Sequence, residues 1–314
     1  MYDLKGRKID YLRLSVTDLC SYRCIYCMDE DGVCKRSHRE ILSIEELYEI
    51  GRAAVACGVR KIRLTGGEPL VRRGVLDLCR MLRSLDGLEE LTLTTNGAAL
   101  PQMAADLKTA GVDRLNISLD TLNEETFRTV TRRGELHQTL DGLAGAEAAG
   151  FRHTKINTVL LGGINDHEIR NLAELARDRE ISVRFIELMP LGVCADWPRE
   201  RFVSADAVLQ AVPELERIDT DGVAELYRVP GWAGTVGLIR PMSHCFCDRC
   251  NRIRITADGR LKPCLHSDRE IPLRGLSGAE LEQAIREAVS TKPESHHLTQ
   301  RHSDSRRNMN EIGG

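Results

Sequence analysis

Six of the eleven cysteines in this 314-residue chain form two sets whose spacing suits metal ligands. The first set has the pattern Cys20-x3-Cys24-x2-Cys27, and Cys34 follows seven residues later. Three thiolates on an iron–sulfur cubane would leave one iron without a protein ligand, open to a cofactor. Four thiolates, with Cys34 as the fourth, would instead complete a structural zinc site. Both kinds of metal site fit the spacing.

The second set is Cys247-x2-Cys250-x13-Cys264. A CxxC followed by a hairpin is how zinc ribbons begin, but the second CxxC of a ribbon is missing here. A zinc shell could be completed by one of three nearby residues: His244, Cys245 or His266. The alternative is again three thiolates on an iron–sulfur cluster with an open iron.

The composition and the start of the chain indicate the cellular environment of these cysteines. The start of the chain, MYDLKGRKIDYLRL, shows no secretory signal, and no stretch approaches the roughly 20 apolar residues of a membrane span. We therefore expect a cytoplasmic protein without a membrane segment, in which clustered cysteines bind metals and form no disulfides. A net charge of −3 and only 4% aromatic residues argue against nucleic-acid binding.

The elements that must hold these cysteines follow a repeated pattern between about residues 10 and 190. Strand-like runs alternate with amphipathic helical segments, of which the first has Ser43 as its N-cap. Repeats of about 30 residues predict parallel strands with right-handed crossovers. The six predicted strands are YLRLSVT, KIRLT, LTLTTN, RLNISL, KINTVLL and VRFIEL. Six units predict an α/β fold that is either a partial barrel or an open doubly wound sheet.

Polar residues collect where these strands end, which is where both kinds of α/β fold place their sites. The segments are 65–69, 94–97, 118–120 and 187–190. After residue 200 we predict a mostly-β extension with a hairpin at Asp258-Gly259 and a helix near 277–290. The predicted domains are therefore 1–200 and 201–314, and the polar tail is either disordered or docks on the rest.

The first cysteine set resembles the CxxxCxxC signature of the radical S-adenosylmethionine (SAM) superfamily, whose fold is a partial (β/α)6 barrel. Tyr26 precedes the last cysteine as in that superfamily, and Gly66-Gly67-Glu68-Pro69 matches its GGEP motif. The resemblance implies that Tyr26, the backbone of Gly66, Gly67 and Glu68, and the residues Ser118 and Met189 contact SAM.

Two further stretches narrow the resemblance to the GTP 3′,8-cyclase family. They are FCDRCNRIRITADGRLKPCL (246–265) and the terminal Gly313-Gly314, and they accompany LRLSVTDLCSYRCIYCM at 12–28. Leu19 departs from the family, which usually has a polar or basic residue there, and Cys34 and Cys245 are extra to its pattern. None of these three departures removes a ligand or a substrate contact.

The resemblance implies two [4Fe-4S] clusters, the first held by Cys20, Cys24 and Cys27 and the second by Cys247, Cys250 and Cys264. GTP carries about four negative charges, so a protein of net charge −3 needs a local cluster of cations to bind it. The implied GTP contacts are Arg13, Arg63, Thr94, Lys155, Arg184, Arg252 and Arg254. Arg184, Gly313 and Gly314 are the implied catalytic residues, with the two glycines reaching into the site at the barrel mouth.

The implied reaction converts GTP to (8S)-3′,8-cyclo-7,8-dihydroguanosine 5′-triphosphate in molybdenum cofactor biosynthesis. Cleavage of SAM at the first cluster gives a 5′-deoxyadenosyl radical, which removes hydrogen from C3′ of GTP, and the C3′ radical then adds to C8 of the guanine. The open iron of the second cluster contacts the guanine. The implied partners are a flavodoxin- or ferredoxin-type electron donor and cyclic pyranopterin monophosphate synthase, which takes the product. A monomer and a homodimer are both compatible with the sequence.

Two other functions compete with this hypothesis. One is a different radical SAM enzyme with an auxiliary cluster, such as a peptide-modifying maturase. The other is a non-catalytic zinc or iron–sulfur protein that binds a partner. Arg252 and Arg254 alternate in a predicted strand and project from one face, which favours a nucleotide over a peptide.

Overall fold

Six parallel strands, hydrogen-bonded in chain order, form the centre of the structure, a computed structural model that describes residues 1–33, 37, 39–298 and 303–313. Cys34 and Gly314 lie outside the described residues. The strands are β1 (Tyr11–Ser15), β2 (Lys61–Thr65), β3 (Glu90–Thr95), β4 (Arg114–Ser118), β5 (Lys155–Leu160) and β6 (Ser182–Glu187). All six strand predictions are confirmed. A doubly wound sheet reverses its strand order, and this sheet does not, so the fold is the partial (β/α)6 barrel.

Helices follow the barrel strands and cover their outer face. The helices of the described chain are α1 (Ile44–Ala56), α2 (Val75–Arg83), α3 (Leu100–Thr109), α4 (Glu124–Thr131), α5 (Leu136–Ala148), α6 (Ile169–Glu174), α7 (Asp206–Ala211), α8 (Gly278–Ser290) and α9 (Met309–Ile312). Helix α1 begins as predicted, because Ser43 and Glu46 form a capping box. The helix predicted near 277–290 is α8. None of the helices in the described ranges is long and apolar enough to cross a membrane.

The extension after residue 200 continues the same sheet at both edges. Its strands are β7 (Glu216–Asp221), β8 (Ala224–Arg228), β9 (Thr235–Ile239), β10 (Arg252–Ile255), β11 (Arg260–Lys262) and β12 (Ile271–Pro272). Strand β10 pairs in parallel with β1, and β9 pairs in parallel with β6. The hairpin predicted at Asp258-Gly259 joins β10 to β11. The extension thereby covers both edges of the barrel, which would otherwise expose unpaired backbone groups.

Side chains alternate along the barrel strands between an apolar face and a polar face. In β1, Leu12 and Leu14 are fully buried in the hydrophobic core, whereas Tyr11 and Arg13 line a cavity on the other face. Strand β2 repeats the pattern, and Arg13 is paired in register with Arg63. The alternation therefore directs the apolar residues toward the core and the polar residues into the barrel.

The described part of the tail docks on the barrel. Helix α9 begins with a capping box between Asn308 and Glu311, and Asn310 and Ile312 are buried. Of the two predicted states of the tail, disordered or docked, the structure shows the docked one for residues 303–313.

Candidate active site

Both cysteine sets and the polar barrel face surround one cavity of about 490 Å³. This volume suits a small-molecule site. All six cysteines of the two sets line the cavity. Among the predicted SAM and GTP contacts, the lining residues are Arg13, Tyr26, Arg63, Gly66, Gly67, Thr94, Ser118, Lys155, Arg184, Met189, Arg252 and Arg254. Residues as far apart in the chain as Arg13 and Cys264 therefore line the same cavity.

The first cysteine set lies on a loop after β1 that α4 holds in place. The backbone N–H groups of Arg23 and Ile25 donate to the carbonyl oxygens of Thr131 and Val130 at the end of α4, each over 2.9 Å. Within the loop, the Cys27 N–H donates to the Cys24 carbonyl over 2.9 Å. This turn directs three sulfur atoms toward the same cavity from a fixed backbone.

The sulfur spacing distinguishes the two kinds of metal site that the sequence left open. A single tetrahedral zinc ion with Zn–S bonds near 2.3 Å would hold its sulfurs about 3.8 Å apart. Among the described residues, the one group of three possible ligand atoms that all lie within 4.8 Å of one another is Cys245, Cys247 and His296. Neither predicted set of three cysteines forms such a group, so each is more open in this structure than a single zinc ion requires.

Burial keeps the thiols of the first set protonated until a cation binds them. It raises the pKa of Cys20 to about 11, and it raises the pKa values of Cys24 and Cys27 further. The thiolate is the form that binds a metal, so loading this loop releases protons. Three thiolates need a cation to balance their charge, as either a zinc ion or the core of an iron–sulfur cluster provides.

The GGEP loop packs against the backbone just before the first cysteine. The Gly67 N–H donates to the Thr17 carbonyl and the Glu68 N–H to the Leu19 carbonyl, both over 2.8 Å. A Cβ on Gly66 would collide with the Thr17 carbonyl oxygen, and one on Gly67 with the Leu19 carbonyl oxygen. Glycine is required at both positions because the two backbones touch. The loop therefore presents bare backbone to the cavity beside the first cysteine set.

Glu68 differs from the other predicted SAM contacts because it does not line the cavity. Its carboxylate accepts hydrogen bonds from the N–H groups of Leu70 and Asn96 and from the Thr95 hydroxyl, over 2.7 to 3.0 Å. Burial raises its pKa to about 7. The carboxylate ties the loop after β2 to the end of β3, and its contribution to a cofactor site is the position of this loop.

Tyr26 is fixed by a carboxylate that the sequence analysis did not single out as a site residue. The Tyr26 hydroxyl donates to Asp120 Oδ2 over 2.7 Å, and the Val159 N–H donates to the other oxygen over 2.8 Å. Burial raises the pKa of Asp120 to about 6. Asp120 follows β4 in the strand-end segment 118–120, and its place after the strand was the only signal in the sequence.

The second cysteine set is built by the β10–β11 hairpin and by two cations that sequence analysis missed. Cys250 precedes β10 and Cys264 follows β11, so pairing of the two strands brings both toward the same end of the hairpin. Lys292 donates to the carbonyl oxygens of Arg252 and Pro263 over 2.8 and 2.6 Å. Arg7 donates to the Cys247 carbonyl over 2.7 Å. Both cations bridge distant segments, and no local pattern in the sequence marks such bridges.

The electrostatic setting of the second set differs from that of the first. Burial raises the pKa of Cys247 to about 12. Burial also acts on Cys250, but the nearby Lys292 and Arg252 outweigh it and lower the pKa of this thiol. Cys245 Sγ lies 3.7 Å from His296 Nε2, beside Cys247. Two additional ligand-type residues therefore adjoin one side of the second set.

Basic residues form one wall of the cavity. Arg13, Arg63 and Arg254 are buried in neighbouring strands, and burial lowers the pKa of Arg63 and of Arg254 to about 10. Within the described ranges, Arg13 Nε, Arg252 Nε, Thr94 Oγ1 and Asn116 Oδ1 are buried without a hydrogen-bond partner. Unpaired buried charges and donors are costly, so this wall suits a polyanionic ligand with hydrogen-bonding groups.

Gly313, one of the two predicted catalytic glycines, is the last described residue of the docked tail. Gly313 packs against the ends of β1 and β2, where a Cβ would lie 3.0 Å from Thr65 Cγ2 and 3.2 Å from Ser15 Cβ. The Gly313 carbonyl accepts a hydrogen bond from Arg254, although Gly313 itself does not line the cavity. Met309, one helical turn earlier, does line it. Gly314 lies outside the described residues, so its place in the site stays a prediction.

Comparison with known families agrees with this architecture. The model of the radical SAM superfamily matches residues 14–176, more than half of the chain. The model described as Molybdenum Cofactor Synthesis C matches residues 181–298. The crystal structure of SuiB from Streptococcus suis has the same fold, with a TM-score of 0.63 and 13% identity over 91% of this chain and 66% of that one. Fold and family match together define a radical SAM protein.

Two relatives are similar over nearly their whole length. The GTP 3′,8-cyclase of Peptoclostridium acidaminophilum is 48% identical, with 100% of this chain and 98% of that protein covered. The GTP 3′,8-cyclase of Alkaliphilus oremlandii is 43% identical, with both chains covered completely. The chain therefore belongs to the GTP 3′,8-cyclase family.

Proposed function

We propose that this protein is an enzyme that cyclises GTP to (8S)-3′,8-cyclo-7,8-dihydroguanosine 5′-triphosphate in molybdenum cofactor biosynthesis. The observation that carries the proposal is the single cavity lined by two separate three-cysteine sets and by a wall of arginines. A redox site and a polyanion site in one space suit radical chemistry on a nucleotide. The names of the full-length relatives support the same activity.

The two [4Fe-4S] clusters and SAM, when bound, supply the electrons and the 5′-deoxyadenosyl radical that start the reaction. Cys20, Cys24 and Cys27 hold the first cluster beside the bare backbone of Gly66 and Gly67. That backbone, with Tyr26, Ser118 and Met189, holds SAM. Asp120 fixes the Tyr26 ring through the 2.7 Å hydrogen bond. Cys247, Cys250 and Cys264 hold the second cluster at the other cysteine set.

The basic wall binds and orients GTP. Arg13, Arg63, Arg252 and Arg254 come from three adjacent strands, so their guanidinium groups converge on one side of the cavity. Lys155 and Arg184 approach from β5 and β6. Guanidinium groups bind phosphate oxygens in pairs, and several together fix the orientation of the triphosphate. Thr94 offers a buried hydroxyl without a partner to the same ligand.

The docked tail excludes water from the site. Asn310 donates from Nδ2 to the Asp18 carbonyl over 3.2 Å, beside the first cysteine set. Gly313 brings backbone to the ends of β1 and β2 and to Arg254. A radical abstracts hydrogen from whatever lies nearest, so a closed site protects the intended reaction.

We further propose that residues 1–200 form the SAM-binding part and residues 201–314 the part that holds the second cluster. The proposal extends to a flavodoxin- or ferredoxin-type electron donor and to transfer of the product to cyclic pyranopterin monophosphate synthase. The family matches divide the chain at a similar place, between residues 176 and 181.

An anaerobic reconstitution tests the function directly. The protein is loaded with iron and sulfide, iron is counted, and 5′-deoxyadenosine is measured with and without GTP. About eight irons per chain and GTP-stimulated formation of 5′-deoxyadenosine and cyclised GTP are expected. Zinc in place of iron would contradict the proposal and support the non-catalytic metal protein.

A double variant separates the cyclase from a peptide-modifying maturase. Arg252→Ala with Arg254→Ala removes two cations of the wall but keeps all six cysteines. The cyclase loses GTP binding and GTP-stimulated SAM cleavage, while cleavage without substrate continues at its basal rate. GTP binding that survives in the double variant would favour the maturase.

A further inference from the structure

The hairpin formed by β7 and β8 brings its turn to the cavity from the outer edge of the sheet. All six residues of β7 are exposed to solvent. Strand β7 is the last in the sheet order and pairs with β8 alone in the described structure. Even so, Asp221 and Gly222 at the turn line the cavity. The turn is thus the one part of this exposed hairpin strand that faces the proposed substrate.

Asp221 forms ion pairs with two of the proposed GTP contacts. Its Oδ2 atom accepts a hydrogen bond from Arg184 Nη2 over 2.5 Å and another from Lys155 Nζ. The Lys155 and Arg184 side chains are each 8% exposed, whereas the Asp221 side chain is 45% exposed. A half-exposed carboxylate on an edge hairpin therefore accepts hydrogen bonds from two buried basic groups of the barrel.

The carboxylate occupies the kind of place that a phosphate oxygen would take. Two buried basic groups without an anion are costly, and a carboxylate and a phosphate satisfy them with the same geometry. Among the described residues, two carboxylates line the cavity, Asp221 and Glu187. Glu187 is held by the N–H groups of Ala205, Met242 and Ser243 over 2.9 to 3.0 Å. Among the described contacts, no backbone N–H donates a hydrogen bond to Asp221. Its hydrogen-bond partners are the side chains of Lys155 and Arg184.

We infer that Asp221 is an anionic placeholder, which pairs with Arg184 and accepts a hydrogen bond from Lys155 until the triphosphate of the substrate displaces it. This inference rests on the proposed function, because it names GTP as the displacing ligand. A carboxylate and a triphosphate repel each other at this distance, so both do not occupy the pair together. Movement of the turn breaks no strand pair of the barrel, because the hairpin joins the sheet only through β8 and β9. By competing with the triphosphate, Asp221 lowers the affinity of the protein for GTP. Before GTP binds, its carboxylate accepts the hydrogen bonds of Lys155 and Arg184.

The test compares Asp221→Asn with Asp219→Asn in the reconstituted holoenzyme. Asp219 is an exposed carboxylate of the same strand that does not line the cavity. Anaerobic equilibrium dialysis measures binding of GTP, inorganic tripolyphosphate and guanosine at pH 7. Asp221→Asn should bind GTP and tripolyphosphate on the order of tenfold more tightly. Guanosine binding should not change, and Asp219→Asn should resemble the unaltered protein for all three.

The outcomes separate this inference from the proposed function. Unchanged or weaker binding of GTP and tripolyphosphate in Asp221→Asn overturns the inference, because the carboxylate would then hold the two cations in place for the substrate. Failure of the unaltered holoenzyme to bind GTP overturns the proposed function instead. In that case, tripolyphosphate binding by the three proteins still tests whether Asp221 occupies the place of a phosphate. Hydrogen exchange adds an independent measurement: backbone amides at 219–224 should exchange faster with tripolyphosphate bound. Slower exchange there contradicts displacement of the turn.

Discussion

The guanidinium of Arg254 donates a hydrogen bond to the carbonyl oxygen of Gly313 over 2.5 Å, across 59 positions of the sequence. Arg254 is a buried member of the basic wall, and Gly313 is the last described residue of the tail. In the proposed function, this contact links the GTP-binding wall to the position of the tail. A chain end that is usually frayed is here held, as far as Gly313, by a residue of that wall.

Gly313→Ala should abolish cyclisation while leaving both clusters in place. Gly313 has φ +80°, and an added Cβ would lie 3.0 Å from Thr65 Cγ2. The control is Gly150→Ala, which has φ +79° but no neighbouring atom within 4 Å. Both variants carry backbone strain of about 1 kcal/mol, so a loss confined to Gly313→Ala is due to the crowded contact. GTP-dependent product formation and iron content are the measurements, and equal activity of the two variants would contradict a role for the tail.

A C-terminal extension tests the same tail without any substitution. Residues added after Gly314 leave the cysteines and the basic wall unchanged, but they add bulk next to Gly313, which packs against Thr65 and Ser15. We expect normal iron content and no cyclised product. Removal of the extension by a protease should restore activity, and full activity of the extended protein would show that the terminus is not needed.

Cys24→Ser and Cys34→Ser should have opposite effects on the first cluster. Cys24 is half-buried and lines the cavity, and its loss removes one of three proposed ligands. We expect Cys24→Ser to lose about four irons per chain together with all SAM cleavage. Cys34→Ser should keep both, because three cysteines and one open iron suffice. Loss of iron in Cys34→Ser would mean that Cys34 is a fourth ligand, as in the structural zinc alternative.

The barrel was predictable because its pattern is local and repeated. Most of the barrel strands combine β-branched and polar residues, and α1 carries its own capping box of Ser43 and Glu46. The site residues at strand ends followed from the same regularity, since carboxyl ends of parallel strands converge. Asn116 could have been found in this way, because it alternates with Ser118 in β4 and lines the cavity.

The missed residues act through contacts that no local pattern encodes. Asp221 is one of six exposed residues in β7, and only the fold of the sheet brings the turn to Lys155. Lys292 follows α8, yet it binds carbonyl groups of β10 and of the segment before Cys264. The placement of β9 and β10 at opposite edges of the barrel could not be predicted from the sequence either, because the order of strands in a sheet depends on long-range packing.

Zinc should compete with iron at the second cysteine set. The ligand atoms of Cys245, Cys247 and His296 lie within 4.8 Å of one another, close enough for one zinc ion. Zinc added before reconstitution should therefore occupy Cys247 and reduce the iron content by about four per chain. Cys245→Ser should restore full iron loading in the presence of zinc, and Cys57→Ser, which alters a buried cysteine of the core, should not. If zinc lowers iron equally in all three proteins, it acts elsewhere.

GTP binding should take up a proton through Lys155. Burial lowers the pKa of Lys155 to about 6, and the nearby Arg184 and Arg114 lower it as well, although Asp221 opposes them. A bound triphosphate favours the charged amine and raises this pKa. Below pH 6 the amine is already protonated and binding needs no proton. Above pH 6 each unit of pH should weaken GTP binding by up to about tenfold, until the pKa of the GTP complex is reached.

Lys155→Arg isolates this effect, because a guanidinium remains charged across the whole range. Calorimetry at pH 8 in two buffers of different ionisation enthalpy measures the protons taken up, and GTP itself is fully ionised at this pH. The unaltered protein should take up close to one proton per GTP, and Lys155→Arg should take up none. Binding of GTP by Lys155→Arg should also lose its pH dependence near pH 8, where GTP no longer changes its own charge. Equal proton uptake by the two proteins would assign the proton to another group and remove Lys155 from the triphosphate site.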